Sequence, residues 1–302
     1  MTETGVNPMR LSLAPNWWPM DRQAQQSWLA QAQASPAERI VLGETVCRLR
    51  DRMAPRTLLE HAQALKAAGK EVVLASLNMV ASEADLALVR GVCRQNEFPL
   101  EAHDMAGVAL AHQHGLPFIA GAGLNIYNLD GIRWLLSLGM VGYQPPMEMA
   151  ADTLATLMAQ CQAAQLRDRF SLEILGYGRP VLAVSARCSS ARVAGRNRQR
   201  CNKVCQQQGA LPVETLEQQP LLTLNGVQVH GHRPQDLLGE LALLRALGVE
   251  WLRVDPGPQG AQPWLKDLQR ALAQQEDAFT PPEPGIRHFW QRPEGDFALH
   301  GD

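Results

Sequence analysis

The chain has 302 residues and a formal net charge of −2, with 28 Lys and Arg against 30 Asp and Glu. Apolar residues make up 46 %, which excludes an intrinsically disordered chain, and the near-neutral charge argues against a nucleic-acid-binding protein. Six cysteines are too few for a disulfide scaffold, so their placement along the chain is the informative feature.

Short apolar runs alternate with amphipathic helical patterns through the first half of the chain. Strands are predicted at 10–15, 39–44, 71–77, 99–104, 117–121 and 140–145. Helices are predicted at 21–34, 55–68, 82–96, 105–114 and 129–138. Ser82 is the expected N-cap of its helix, with Asp85 at the capping-box position.

The second half continues this alternation around one segment that interrupts it. A helix is predicted at 151–168, a strand at 171–176, a helix at 235–247, a strand at 249–255 and a last helix at 263–275. Segment 178–234 shows no helical pattern but contains two predicted strand regions, 181–185 and 221–229, the second around Asn225-Gly226. We interpret it as a β-rich insertion.

Seven or eight β/α units predict an α/β fold with a parallel sheet, and eight would close a (β/α)₈, TIM-barrel-like fold. A doubly wound open sheet is the alternative, but it usually has a Gly-rich loop after its first strand, where this chain has Asn16-Trp17-Trp18-Pro19. We therefore expect one barrel domain over 1–279 that includes the insertion 178–234 near the carboxyl end of the barrel. The Pro-rich tail 280–302 is expected at the surface, with only Phe289, Trp290 and Phe297 to dock it.

The N-terminal segment indicates the compartment. It has an early acid, Glu3, prolines at 8, 15 and 19, and no apolar run typical of a signal peptide. No stretch approaches the ~20 apolar residues of a membrane span. We expect a cytoplasmic protein, in which thiols stay reduced and a cysteine group indicates metal or redox chemistry.

Four cysteines lie where barrel strands end or in the insertion. Cys47 follows the second strand, Cys188 follows the strand at 181–185, and Cys201 and Cys205 form a C-x₃-C pair. Because the carboxyl ends of barrel strands open onto one face, the four thiols can meet there. Four converging thiolates suit an iron–sulfur cluster or structural zinc. The alternative is scattered, unrelated thiols.

The charge around these cysteines favours an iron–sulfur cluster over zinc. Segment 187–203 contains six basic residues and no acid: Arg187, Arg192, Arg196, Arg198, Arg200 and Lys203. Positive charge lowers a thiol pKa and stabilises an anionic cluster, whereas structural zinc more often uses two close cysteine pairs. The alternative is a solvated basic loop. Cys93 and Cys161 fall within predicted helices and are expected to be buried structural thiols.

Other polar residues follow predicted strands, where barrel enzymes place their active sites. Candidates for substrate binding or proton transfer are Glu44, Glu101, Asn125 and Glu148, with Asp104 and Asn128 nearby. Such residues also cap the following helices, which is the expectation for Asp104. His230 and His232 could bind a metal, but a surface turn is the favoured interpretation.

A family likeness is carried by segments spread over nearly the whole chain. They are LAPNWWP, IVLGETVC, LEAHD, PFIAGAGLNIYN, QPPME, YGRPVLAVSARC, CNKVC, LNGVQ and HFW. With its four cysteines in that context, the chain resembles the peptidase U32 family. No H-E-x-x-H, G-x-S-x-G or P-loop motif supports the hydrolase in that name.

The resemblance implies a [4Fe–4S] cluster whose ligands match Cys47, Cys188, Cys201 and Cys205. It implies a subunit of an O₂-independent hydroxylase acting on the ring of a prenylated ubiquinone precursor. The expected partners are a sister protein of the family in a heterodimer, a lipid-binding accessory protein and an organic oxygen donor such as prephenate. The alternatives are a collagenase-like peptidase and a non-catalytic scaffold stabilised by its metal.

Overall fold

Eight parallel strands form a closed barrel in the computed structural model, which describes residues 8–50, 53–255, 257, 260–287 and 289–291. The barrel strands are β1 (Arg10–Leu13), β2 (Arg39–Leu42), β3 (Glu71–Ala75), β4 (Leu100–Ala102), β5 (Phe118–Ala120), β6 (Met140–Tyr143), β7 (Ser171–Gly178) and β13 (Trp251–Val254). Each strand pairs with the next, and β13 pairs with both β7 and β1, which closes the sheet. The predicted (β/α)₈ barrel is confirmed.

One helix follows each barrel strand and packs on its outer side. These helices are α1 (Arg22–Ala34), α2 (Pro55–Ala67), α3 (Glu83–Cys93), α4 (Met105–Gln113), α5 (Leu129–Ser137), α6 (Ala151–Ala163), α9 (Leu241–Ala246) and α10 (Leu265–Ala273). Ser82 caps α3 as predicted, by accepting the N–H of Asp85. The carboxylate of Asp85 accepts from the N–H of Ala81 and from the Ser82 hydroxyl, a variant of the expected capping box.

The main core lies between the barrel strands and these helices. In β2, Ile40 and Leu42 face this outer core, whereas Val41 faces the barrel interior, as the two-residue period of a strand requires. The apolar cluster inside the barrel is small and consists of Val41, Val73, Ala75 and Ile119. The rest of the interior is therefore available to polar side chains.

The insertion between β7 and α9 forms a second, antiparallel sheet. Its strands are β8 (Val181–Val184), β9 (Leu211–Glu214), β10 (Pro220–Asn225) and β11 (Gln228–Gly231), in the order β8-β11-β10-β9. Gly226, with φ of 69°, lies in the turn between β10 and β11, so the strand region predicted at 221–229 is a hairpin of two strands. The insertion also contains α7 (Ser189–Val193) and α8 (Val204–Gln208), so the expectation that it lacks helices is wrong. Five residues are too few for a helical period to show.

The predicted helix 235–247 is wrong in its first half. Gln235–Asp236 forms the short strand β12, which pairs antiparallel with the end of β7. The side chain of Gln235 donates to the carbonyl of Leu175, and this tie holds the segment extended. Helix α9 therefore begins only at Leu241, after a 3₁₀ turn at Leu238–Glu240.

The tail packs onto the barrel as far as it is described. Trp290 is 4 % exposed, its carbonyl accepts from Ala151 and its indole donates to Glu240. Trp290 thus docks the tail, as expected, while Pro282, Glu283, Pro284 and Arg287 are exposed. Phe297 lies outside the described residues. Among those that are described, no helix combines the length and apolar character needed to cross a bilayer.

Candidate functional site

The four predicted cysteines converge beyond the carboxyl ends of the barrel strands. Cys47 lies in the loop after β2, Cys188 caps α7, Cys201 follows a 3₁₀ turn, and Cys205 lies in α8. Negative charge on any of the other three thiols raises the pKa of Cys188, which reflects their proximity. The fold thus brings together residues from two distant segments.

Apolar side chains surround this group of cysteines. Cys47 and Cys188 pack in one cluster with Trp17, Trp18 and Val227, and Cys201 lies against it. Cys47, Cys188 and Cys205 are only 7–8 % exposed, whereas Cys201 is partly exposed. The four residues, hereafter the cysteine pocket, are largely shielded from water.

Burial dominates the protonation of these thiols. It raises the pKa of Cys188, while a hydrogen bond from the N–H of Ala191 to Sγ, 3.4 Å long, opposes the rise. Burial likewise raises the pKa of Cys205, and the charge of Arg50 and a hydrogen bond from its side chain oppose the rise. The pKa of both thiols therefore lies above its usual value, and the arginine that acts against the rise, at Cys205, is Arg50 and not one of the predicted run 187–203.

The predicted basic run 187–203 mostly faces away from the sulfur atoms. Arg187, Arg192 and Arg200 are exposed, and Arg198 forms an ion pair with Asp85. Arg196 donates to the carbonyl of Cys201. The run thus consists mainly of solvated residues and of ties within the insertion.

Arg50 is the cation that sequence reasoning missed. It is 7 % exposed; Nη1 donates to the carbonyl of Trp17 at 2.7 Å and Nη2 to Oδ1 of Asn225 at 2.5 Å. Its Nε is buried and has no hydrogen-bond partner among the described residues. Its place three residues after Cys47 is the signal in the sequence that points to it.

The donor set of the cysteine pocket suits a soft metal centre. Cys47, Cys188 and Cys201 contact one apolar cluster, and Cys205 lies close enough to Cys47 and Cys201 for their charges to raise its pKa. The buried Nε–H of Arg50 beside Cys205 can donate to an anionic group. Within the described part of the chain, no three Cys, His, Asp or Glu side chains are arranged to hold a single metal ion.

A network of buried charges occupies the barrel interior. Arg253 of β13 makes two hydrogen bonds to Glu101 of β4 and one of 2.8 Å to Glu173 of β7. Because β4 and β13 do not pair, the first contact crosses the interior. Arg39 donates to the other oxygen of Glu173 at 2.7 Å.

The ion pairs hold both acids in their charged form. Burial is the largest single influence and alone would raise the pKa of Glu101 and Glu173. The charge and hydrogen bonds of Arg253, together with His103 at Glu101 and Arg39 at Glu173, outweigh it, so both pKa values lie below their usual value. Glu101 also contacts Nε2 of His103 at 2.7 Å and accepts from Gln144 at 2.9 Å. The predicted candidate Glu101 is thus the centre of the network.

A cavity of about 280 Å³ opens above this network at the mouth of the barrel. We call it the barrel-mouth cavity; its lining includes Trp17, Asn78, His103, Asn125, Gln144, Glu148, Glu173, Leu175, Arg253 and residues 181–184 of β8. The predicted candidates Asn125 and Glu148 are both exposed at its rim. Trp17 also belongs to the apolar cluster of the cysteine pocket, so it is a wall common to both sites.

The remaining strand-end candidates have structural contacts. Glu44 accepts the N–H groups of Val46 and Cys47 at 2.7 and 3.0 Å and so shapes the loop that carries Cys47. Asp104 caps α4 as expected, and Asn128 caps α5. Glu44 does not line the barrel-mouth cavity.

His230 is buried, so the surface turn expected for His230-Gly231-His232 is wrong. Its ring lies 5.1 Å from that of Trp18, and Nε2 lies 2.9 Å from the side-chain oxygen of Gln228. Burial lowers the pKa of His230 to about 4. His232 is partly exposed.

The predicted structural thiols Cys93 and Cys161 are buried in the main core, and burial raises the pKa of Cys93 to about 11.

Comparison with known proteins adds remote likenesses. No protein-family model matches the chain. Rv1207 of Mycobacterium tuberculosis is 10 % identical, with 92 % of this chain and 96 % of that one covered and a TM-score of 0.42. The U32 peptidase Mk0906 is 12 % identical (85 % and 96 % covered, TM-score 0.41), and dihydropteroate synthase of Xanthomonas albilineans is 10 % identical (91 % and 96 %, TM-score 0.39). Likenesses at this level assign neither a family nor an activity.

Proposed function

We propose that the chain is a cytoplasmic iron–sulfur subunit of an O₂-independent hydroxylase acting on the ring of a prenylated ubiquinone precursor. The observation that carries the proposal is the convergence of Cys47, Cys188, Cys201 and Cys205 in one apolar pocket beside Arg50. The sequence motifs that end in these cysteines resemble those of the ubiquinone biosynthesis protein UbiV of the peptidase U32 family.

The four cysteines would hold a [4Fe–4S] cluster, which supplies electron transfer when bound. Loading requires the thiols to lose their protons, and burial makes that loss harder at Cys188 and Cys205. Arg50 compensates by placing a fixed positive charge in the pocket. The apolar wall of Trp17, Trp18 and Val227 would shield the cluster from water and oxidants.

The partners follow from the same resemblance. We propose UbiU as the second subunit of a heterodimer and UbiT as the accessory protein that presents the lipid-soluble precursor. An organic molecule such as prephenate would supply the oxygen atom. Four cysteine ligands leave the cluster for electron transfer, so substrate would bind elsewhere on this chain or on the partner.

Complementation of anaerobic ubiquinone synthesis tests this function. Cells that lack the gene are grown without oxygen and supplied with the wild-type chain, Cys201→Ala, Cys205→Ala or the control Cys93→Ala. We expect ubiquinone to be absent with the first two variants and present with the control, whose buried thiol lies in the main core and not in the apolar cluster of the pocket.

Protein abundance, measured by immunoblot, separates loss of function from loss of the chain. Normal ubiquinone levels with a stable Cys201→Ala or Cys205→Ala protein would contradict the proposal and favour a scaffold. Proteolysis of collagen-like substrates by the same variants would favour the peptidase alternative.

A further inference from the structure

The basic run 187–203 is the sequence feature that the proposed function leaves unused. Arg198 is paired with the buried carboxylate of Asp85. Four other arginines of the run are exposed and form no ion pair with a described residue: Arg187, Arg192, Arg196 and Arg200. Their charges are therefore available to a partner outside this chain.

The same segment forms an outer wall of the cysteine pocket. In α7, Ala191 is fully buried in the apolar cluster that contains Cys188, whereas its neighbour Arg192 faces outwards. The backbone N–H of Arg196 donates to the carbonyl of Ala191 at 2.7 Å, so the chain folds back against α7. The outward side of 187–203, which carries the four exposed arginines and is hereafter the basic face, thus covers the cysteine pocket.

Cys201 brings the pocket to the surface within the basic face. It is partly exposed, whereas the other three cysteines are almost fully buried. The side chain of Arg196 donates to the carbonyl of Cys201 at 3.1 Å, and Arg200 precedes it in the chain. The most exposed side of the cysteine pocket therefore lies among arginines.

Positive charge is concentrated on this face and is not a property of the whole chain. The chain has a net charge of −2, although segment 187–203 contains six basic residues and no acid. The remainder of the chain is therefore acidic and repels a polyanion that extends beyond the face. A nucleic acid or an anionic membrane presents extended negative charge, whereas a small acidic protein presents a local patch. The charge distribution thus favours a protein partner.

The basic face has the composition of a transient docking surface. Val193 of α7 is 65 % exposed among the arginines. Electron-transfer complexes bury little area and use charge to steer and orient the partners, since the partner must leave after each transfer. Exposed arginines around one apolar side chain suit such an encounter better than a permanent, largely apolar interface.

We propose that the basic face docks a small acidic electron-carrier protein, which reduces the metal centre of the cysteine pocket through the side that Cys201 exposes. One electron passes from the reduced carrier, which is oxidised, to the centre, which is reduced, and no bond is formed or broken. The choice of a redox carrier rests on the proposed function, because it requires the cluster. The demand for an acidic partner rests on the charges of the face alone.

Binding of an acidic plant-type ferredoxin to anaerobically purified protein tests the docking surface. Kd is measured by biolayer interferometry at ionic strengths of ~0.01 M and ~1 M, where the Debye length is about 30 Å and about 3 Å. We expect binding at the lower ionic strength and its loss at the higher one, because salt screens exposed charges.

A combined variant locates the effect on the basic face. Arg187→Gln, Arg192→Gln and Arg200→Gln together remove three exposed charges and keep Arg196 and Arg198, whose side chains tie the insertion in place. We expect Kd at ~0.01 M ionic strength to rise at least about tenfold. The second-order rate constant for reduction of the cluster by reduced ferredoxin, followed by anaerobic stopped-flow absorbance, should fall by a similar factor.

The matched control removes the same charge elsewhere. Arg56→Gln, Arg133→Gln and Arg270→Gln alter exposed arginines of α2, α5 and α10. This variant should change Kd and the rate constant by less than about twofold. Photoreduced deazaflavin, a small uncharged reductant, should reduce the cluster at the same rate in all three proteins, which shows that the cluster itself is intact.

Equal affinity of the wild-type chain and the basic-face variant for ferredoxin, or an affinity that salt does not change, would overturn the proposal. Tighter binding of single-stranded RNA or of phosphatidylserine vesicles than of ferredoxin at ~0.1 M ionic strength would overturn it in favour of those partners. Loss of ferredoxin binding when UbiU is bound would also overturn it, because the face would then belong to the heterodimer interface.

The metal content separates this inference from the proposed function. Iron-loaded protein that binds ferredoxin no better than the basic-face variant does would contradict this inference alone. Protein that holds zinc but binds ferredoxin through the basic face would contradict the proposed function and support the acidic partner.

Discussion

Cys188 and Cys205 lie in a pocket walled by apolar side chains, and burial raises the pKa of both thiols. At neutral pH they are therefore protonated until a metal centre displaces the protons. Arg50 is the residue placed to favour the charged, ligated state, since its guanidinium is buried beside Cys205 and is held there by Trp17 and Asn225.

His230 makes the stability of the chain depend on pH. Burial lowers its pKa from 6.5 to about 4, so the folded chain prefers the neutral ring. This contribution to stability is complete above pH 6.5 and is lost as the pH falls towards 4. At ~1.4 kcal/mol per pKa unit, it amounts to about 3 kcal/mol.

The variant His230→Gln removes this titration. Urea unfolding at pH 7 and pH 4 should show the wild-type chain losing about 3 kcal/mol more than the variant between the two values. His112→Gln, which alters an exposed ring, serves as the control. Parallel pH profiles of the wild-type chain and His230→Gln would show that the histidine does not control the acid response.

At the scale of elements, helix α3 connects the two segments that carry the cysteines. The carboxylate of Asp85, 1 % exposed, accepts from Arg48 at 3.0 Å and from Arg198 at 3.4 Å. Arg48 is adjacent to Cys47, and Arg198 begins the turn that precedes Cys201. Asp85 therefore ties the loop after β2 to the insertion.

Asp85→Asn should loosen this connection, because a neutral amide cannot balance the two arginines. We expect faster tryptic cleavage within 187–203 of the insertion, at several times the wild-type rate, measured by mass spectrometry of limited digests. Glu60→Gln, which removes an exposed ion pair with Arg56, is the matched control. Equal cleavage rates in all three proteins would exclude the role assigned to Asp85.

The longer elements could be predicted from periodicity, and the short ones could not. The helix predicted at 55–68 matches α2 to within one residue. Its apolar positions repeat with the helical period, Pro55 marks its start and Gly69 marks its end. Helices α7, α8 and α9 have five or six residues, so tertiary contacts determine them. The tie between Gln235 and Leu175 that produces β12 is likewise not visible in sequence.

At the scale of the whole molecule, buried ion pairs connect the strands inside the barrel. Arg253 connects β13 to β4 and β7, and Arg39 of β2 joins through Glu173. Sequence reasoning selected Glu101 because it ends a strand. It missed Arg253, because a pairing across the interior depends on barrel closure and not on spacing.

Arg253→Met should destabilise the fold strongly, since it leaves Glu101 and Glu173 buried with their shared partner removed. A loss of about 3–5 kcal/mol in the free energy of unfolding is expected. Urea unfolding followed by circular dichroism measures it. Arg270→Met, which breaks an exposed pair with Asp267, should change stability by less than about 0.5 kcal/mol. Similar values for the two variants would show that the network does not stabilise the barrel.

The candidate site was predictable in part. Cys47, Cys188, Cys201 and Cys205 could be selected because barrel topology brings strand ends to one face. Arg50, Trp17 and His103 could not, because their roles depend on burial and on side-chain direction. The cysteine pocket and the barrel-mouth cavity share Trp17, a juxtaposition that only the folded chain reveals.

Metal analysis of anaerobically purified protein tests whether the cysteine pocket holds an iron–sulfur cluster. Iron, sulfide and zinc are quantified for the wild-type chain and for Cys201→Ala with Cys205→Ala, together with visible absorbance and electron paramagnetic resonance after reduction. We expect brown wild-type protein with about four iron atoms per chain, bleached by air, and a folded variant that has lost the iron. Colourless wild-type protein with stoichiometric zinc would contradict it.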